Sequence, residues 1–318
     1  MLLKIENLKT YFFNNGKIGK AVDNISLTLK KNKIVALVGE SGCGKSVTAR
    51  SVLQLVGYPG KIVSGKIIYK NKDILKLNPK EMCKIRGKEI SMIFQDPMNS
   101  LNPVFTIGTQ LVETILTHLA ISKKNAKKLA LEMLLKVKLT EPEKIFNLYP
   151  HQLSGGMKQR VIIAIALSCS PSVLIADEPT TALDVSIRKE IIKLLLQLKR
   201  ENNLSVLFIT HDFRVVKEIA DEVAVMYAGK IVEKRLKKNI FDNPLHPYTI
   251  GLLKSLPPVG KKIDKLPVIK GIVPEIYNYG KGCRFAERCE FASDKCFKSE
   301  PHPVILGENE YVSCVQYF

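Results

Sequence analysis

Long apolar runs are missing from this sequence. The longest, such as Val161–Leu167, fall far short of the roughly 18–20 residues that cross a bilayer. A spanning helix is thereby excluded, and such runs suit core elements instead. Internal repeats and low-complexity tracts are also missing. The first residues carry a carboxylate, Glu6, and no small-residue cleavage site, so no signal peptide and a cytosolic protein are expected. Arginine is scarce: it supplies nine of the 49 cations, against 40 from lysine. Specific nucleic-acid readers favour arginine, whose planar fork matches guanine edges and phosphates. The net charge of +19 therefore reads as a solvated lysine surface, with anionic lipid headgroups and nucleic acid as the alternatives. What is present is globular: 318 residues, 46% apolar and 25% charged, ample for a buried core and for two domains or one large domain with an appendage.

Residues 1–35 alternate apolar and polar (Leu3, Ile5, Leu8; Ile25, Leu27, Leu29), as half-buried strands do. Lys33–Gly39 is a short apolar run into a glycine loop, the pattern of a buried parallel strand. Ser172–Asp177 and Ser205–His211 repeat it. Helical periodicity covers residues 44–56, 187–200 and 213–220, and strands alternating with helices predict an α/β doubly wound core. Residues 104–148 read as mainly helical and predict an inserted helical subdomain. Beyond about residue 235 the prolines and glycines (Pro244, Pro247, Pro257, Pro258, Gly260, Pro267) predict an irregular C-terminal extension.

Gly39-Glu-Ser-Gly-Cys-Gly-Lys-Ser46 fits G-x-x-x-x-G-K-[ST], with a strand before it and a helix after it. Gly39, Gly42 and Gly44, with Ser41, let backbone N–H groups curl round an anion, and the helix N-terminus adds partial positive charge. Lys45 would reach the β- and γ-phosphates of ATP, and the Ser46 hydroxyl would ligate Mg²⁺. Cys43 inside the loop reads as a neutral filler. Asp177 and Glu178 end an apolar strand, where paired carboxylates need cations or hydrogen bonds. Asp177 can hold Mg²⁺, and Glu178 can polarise the attacking water as general base. Leu153-Ser-Gly-Gly-Met-Lys-Gln-Arg160 opens a helix, with Ser154 as N-cap and backbone donors exposed at Gly155 and Gly156. One loop already cradles the chain's own nucleotide, so this second anion site is expected to address a nucleotide on another subunit, in a head-to-tail dimer.

With these three motifs in this order, the sequence resembles the ATP-binding-cassette ATPases. The resemblance implies a phosphate-loop NTPase core with an antiparallel β subdomain, an inserted helical subdomain and the irregular C-terminal extension. It implies residues 1–235 as the nucleotide-binding domain, with about 96–165 as the helical subdomain, and 236–318 as the extension. It also implies roles for residues that composition leaves silent. Gln95 matches the loop glutamine that senses Mg²⁺ and water and couples to the membrane subunit. Asp184 matches the aspartate that crosses the dimer interface, and His211 matches the switch histidine on the γ-phosphate. Phe12, with Tyr11 adjacent, matches the aromatic that stacks on adenine, core packing being the alternative. Phe94–Pro103, Asp177–Val185 and Asn243–Thr249 resemble the oligopeptide/dipeptide permease branch over nearly the whole chain. The expected function is thus the ATP-hydrolysing, energy-coupling subunit of a di-/oligopeptide importer. A nickel importer ATPase and a soluble cassette ATPase acting on nucleic acid or the ribosome are the rivals, although a soluble one usually carries two cassettes or long heptads. Implied partners are a second, similar ATPase, two membrane permease subunits and an extracytoplasmic peptide-binding protein, with no specific nucleic acid. Docking on the permease by residues 96–150 implies a peripheral place on the cytoplasmic face of the cell's inner membrane.

Four of the seven cysteines, Cys283, Cys289, Cys296 and Cys314, fall in the last 40 residues. Clustered cysteine in a cytosolic protein argues for metal rather than disulfide. Four thiolates suit an iron–sulfur cluster or tetrahedral zinc, and the C-x₂₋₄-C pairs usual for zinc are absent. Gly282–Cys289 resembles the cluster-binding tail of one permease ATPase type, which implies a [4Fe–4S] cluster. Zinc and uncoordinated thiols remain open, and Glu287 stands where the resemblance has proline. Arg284 and Arg288 either offset thiolate charge or are solvated.

Overall fold

The computed structural model describes residues 1–96, 100–181, 183–256 and 267–317. These fall into two compact units, Met1–Leu75 with Thr210–Phe318, and Lys76–Ile209.

The first unit holds two sheets. One is antiparallel, in the order β2–β1–β4–β5, from β1 (Leu3–Asn14), β2 (Lys17–Leu29), β4 (Gly60–Tyr69) and β5 (Lys72–Asp73). Its alternation works as the sequence predicts: Leu3, Ile5 and Leu8 of β1 and Ile25, Leu27 and Leu29 of β2 are buried. The other runs β11–β12–β10–β9–β3, from β11 (Val304–Gly307), β12 (Glu310–Val312), β10 (Lys230–Leu236), β9 (Glu222–Tyr227) and β3 (Ile34–Val38). β3 pairs β9 in parallel, and every residue of both strands is buried. Covered on both faces, they carry continuous apolar runs rather than alternation.

The extension differs from its expected irregularity. It contains the helices Lys237–Asp242 and Pro247–Lys254 and the hairpin β11–β12, which pairs with β10. Strands of only four and three residues leave no periodic signal. Its aromatic side chains enter the same core as β3 and β9: Tyr248 and Phe285 lie in one cluster with Tyr227 of β9, with ring centroids 4.7–5.3 Å apart. Such tilted and edge-to-face contacts each add about 1 kcal/mol to the burial itself. Pro257, Pro258 and Gly260 lie outside the described residues.

In the second unit β6 (Ile90–Ile93), β7 (Val173–Asp177) and β8 (Ser205–Thr210) run parallel in the order β6–β7–β8. Between β6 and β7 the helices Ile107–His118, Lys123–Lys136, Pro142–Asn147 and Gly155–Leu167 pack on one another, over the stretch expected to be helical. Thr106, Ser122 and Ser154 cap three of them. No helix among the described residues is long and apolar enough to cross a membrane.

Candidate functional site

The glycine loop leaves β3 at Val38 and enters the helix Lys45–Val52. Two of its glycines are required by space and torsion together. A Cβ on Gly39 (φ +154°) would stand 2.1 Å from the Met226 carbonyl oxygen, and one on Gly44 (φ +107°) 2.2 Å from that of Ala21. No L side chain fits either place. The helix has no side-chain cap at Gly44, so its first N–H groups are presented by backbone alone. Lys45 is buried, and its ammonium donates to the carbonyls of Gly39 (2.8 Å) and Glu40 (2.9 Å). Those dipoles offset the desolvation of the charge. Cys43 is fully buried, and burial pushes its thiol pKa up against the pull of Lys45, which fits a neutral filler. A cradle that a Cβ would fill, a helix start and a buried ammonium together fit a triphosphate.

Elsewhere in this unit Tyr11 donates to Asp23 (2.7 Å), while neighbouring Phe12 is half-buried against Gly60. His211 follows β8 and is exposed. Asp212 after it caps the helix Phe213–Ile219 by accepting from Arg214 N–H (2.9 Å).

In the second unit Asp177 closes β7 at 1% exposure. Glu178 follows with φ +47°, a left-handed conformation that costs on the order of 1–3 kcal/mol outside glycine. It is held there by its N–H on the Ile209 carbonyl (2.9 Å) and by the Thr181 hydroxyl donating to its carboxylate (2.8 Å). Strain kept in place by surrounding bonds marks a positioned side chain. Gln95 is exposed just past β6; residues 97–99 of its motif, and Ala182 of another, lie outside the described residues. Ser154 accepts from Met157 N–H (3.3 Å), and Gly156 lies under Ile187, leaving a Cβ only 3.0 Å. Asp184 precedes the helix Val185–Glu201 without capping it and is exposed.

The four clustered cysteines are unpaired. Cys283 N–H donates to the Cys296 carbonyl (2.7 Å). Burial first, then the fields of Cys296, Cys314 and Cys289, push Cys283 up to about 11. The thiols are thus neighbours. Even so, no group of three or more His, Cys, Asp or Glu among the described residues is placed to hold a metal ion, so no preformed iron–sulfur or zinc site is present. The two arginines beside them are not solvated: Arg284 and Arg288 side chains are 4% and 5% exposed. Their partners are carboxylates, Asp23 for Arg284 and Glu40 for Arg288, which sequence reasoning missed because no local spacing encodes them.

The ABC transporter family profile matches residues 22–181, and the profile of the oligopeptide/dipeptide transporter C-terminal region matches residues 232–296. The chain is 50% identical over 317 residues to the oligopeptide transport ATP-binding protein AppD of Bacillus subtilis, covering 99% of this chain and 97% of the relative. The chain belongs to the ABC transporter ATPases of the oligopeptide/dipeptide branch. The dipeptide transport ATP-binding protein DppD of Escherichia coli is 42% identical over 313 residues, 98% of this chain and 96% of the relative. An ATP-binding cassette solved as a dimer in a post-hydrolysis state with ADP and Pi aligns with a TM-score of 0.66 at 31% identity, over 74% of this chain and 99% of that one.

Proposed function

We propose that this ABC ATPase hydrolyses ATP to drive import of di- and oligopeptides. The observation that carries the reading is the phosphate loop: two glycines that admit no Cβ, and a buried lysine at an uncapped helix start. Relatives in its branch, named for oligopeptide and dipeptide transport, support the substrate class.

Within this proposal Lys45 and the loop N–H groups of Ser41, Gly42 and Gly44 bind the phosphates, and Phe12 stacks on adenine. Ser46 and Asp177 hold Mg²⁺, with Gln95 near it. Mg²⁺, when bound, neutralises the charge of the transferring phosphoryl group. Glu178 takes a proton from the attacking water, and its left-handed backbone fixes the carboxylate before ATP arrives. His211 donates to the γ-phosphate. In-line attack needs positioning and charge neutralisation more than covalent chemistry. Ser154, Gly155, Gly156 and Asp184 address the nucleotide of a second ATPase subunit, a related chain in a heterodimer. The domain division is residues 1–235, with about 96–165 helical, and 236–318.

The helical segment carries a groove lined by Phe105, Gly108, Val112, Leu116, Lys127 and Phe146, with Phe105 46% and nearby Val104 69% exposed. We assign it to a coupling helix of the permease. Two permease subunits and an extracytoplasmic peptide-binding protein complete the importer, which places this chain on the cytoplasmic face of the inner membrane. Cys283, Cys289, Cys296 and Cys314 take up a [4Fe–4S] cluster, zinc being the second reading. The thiols are neighbours rather than preset ligands, so the site would form on uptake, and no step of hydrolysis passes through it. Anaerobically purified protein then holds iron and acid-labile sulfide in equal amounts, and zinc without sulfide overturns the assignment.

The test of the reading is ATP retention. Glu178→Gln should bind ATP, fail to turn it over and accumulate as a dimer in solution. Turnover equal to that of the unmodified chain would remove Glu178 from the general-base role.

A further inference from the structure

The glycine loop is held from outside by the C-terminal extension. Arg288 sends two guanidinium nitrogens to the Glu40 carboxylate, at 2.7 and 3.0 Å, and its Nε to the Lys270 carbonyl at 2.9 Å. The guanidinium is boxed by Tyr227 and Phe285, with ring centroids 5.6 and 5.9 Å from its central carbon. Tyr248 accepts the Glu40 backbone N–H at its hydroxyl (2.9 Å). At the loop's other side the Cys43 carbonyl accepts Gly229 N–H (2.9 Å), and the adjoining Ala228 carbonyl accepts Arg284. Both arginines sit on the short stretch between Cys283 and Cys289.

Glu40 is the difficulty this arrangement answers. It is a carboxylate inside a loop built to receive a triphosphate, and like charges repel, more strongly near protein than in bulk water. A bidentate arginine both cancels the charge and fixes its direction.

We propose that Arg288 is a positioning residue for ATP binding: it neutralises Glu40 and pins that carboxylate away from the phosphates. The inference rests on the reading of the loop as the ATP site. It makes the extension part of the nucleotide site, and it gives the stretch between Cys283 and Cys289 a direct route to ATP affinity.

The experiment is a set of nucleotide dissociation constants for the full-length chain with MgATP, using a fluorescent ATP analogue, at low and high salt. Arg288→Met leaves Glu40 unpaired and should weaken binding about tenfold, a loss that shrinks as salt screens the carboxylate. Adding Glu40→Gln to Arg288→Met should restore most of the affinity, because the repelling charge is gone. Arg288→Lys should keep most of it. Rescue by removing a second partner is a result that a purely structural brace would not give. If the single variant fails to fold, the double variant and Arg288→Lys still decide the matter. Unchanged affinity in folded Arg288→Met, or equal loss in the single and double variants, overturns the proposal. Lys45→Ala separates the two levels: if it binds ATP as well as the unmodified chain, the reading of the loop itself fails.

Discussion

Glu178 shows how much one residue can reveal and conceal. Its identity, next to Asp177 at the end of an apolar strand, is plain in the sequence. Its φ of +47° is not, because its backbone N–H is held by the carbonyl of Ile209, a residue distant in sequence. A general base typically contributes 10²–10⁴-fold to rate, so Glu178→Gln should lower kcat about 10³-fold with ATP affinity retained, as steady-state hydrolysis and nucleotide titration would report. Thr181→Val removes the hydroxyl bond to the Glu178 carboxylate and leaves the backbone bond to Ile209 in place. It should lower kcat by about tenfold with little change in KM, on the order of one charge-assisted hydrogen bond. A change confined to KM would contradict a positioning role. Arg284 and Arg288 lie at the opposite extreme of legibility. Their carboxylate partners are 261 and 248 residues away in sequence, so no window of the sequence connects them.

At the scale of elements, the strands β3, β7 and β8 were readable because burial on both faces leaves unbroken apolar runs. The helix Pro247–Lys254 was not, since its start looks like a proline-rich turn. Its cap is His246, fully buried, whose Nδ1 accepts the Tyr248 N–H at 3.1 Å. Burial lowers this histidine's pKa to about 3, against about 6.5 in an unfolded chain. Between those values the unfolded state binds a proton that the folded state refuses, so stability rises with pH there. The contribution is complete above about pH 6.5 and is lost by about 1.4 kcal/mol per unit as pH falls toward 3. Thermal melts should therefore fall more steeply below pH 6 for the unmodified chain than for His246→Asn, which keeps an acceptor and cannot titrate. Parallel curves would contradict the buried neutral histidine. The loop offers a sharper structural test. Gly44→Ala forces a Cβ onto the Ala21 carbonyl and should cost on the order of 3 kcal/mol or more, visible in the urea midpoint.

At the scale of the molecule, the order of motifs made the ATPase readable, and the extension did not announce how it is used. Prolines and short elements there hid a helix, an edge hairpin and an aromatic core shared with β3 and β9. The extension belongs to the same compact unit as the phosphate loop, so its removal should cost the cassette part of its core and not merely a tail. Peptide import driven by ATP at Lys45 is the central claim. Its most direct test is uptake of a labelled dipeptide, a labelled pentapeptide and nickel by cells that lack this gene. Peptide uptake should be lost, be restored by the unmodified gene and stay lost with Lys45→Ala, while nickel uptake persists. Loss of nickel uptake alone, or peptide uptake restored by Lys45→Ala, would contradict the account.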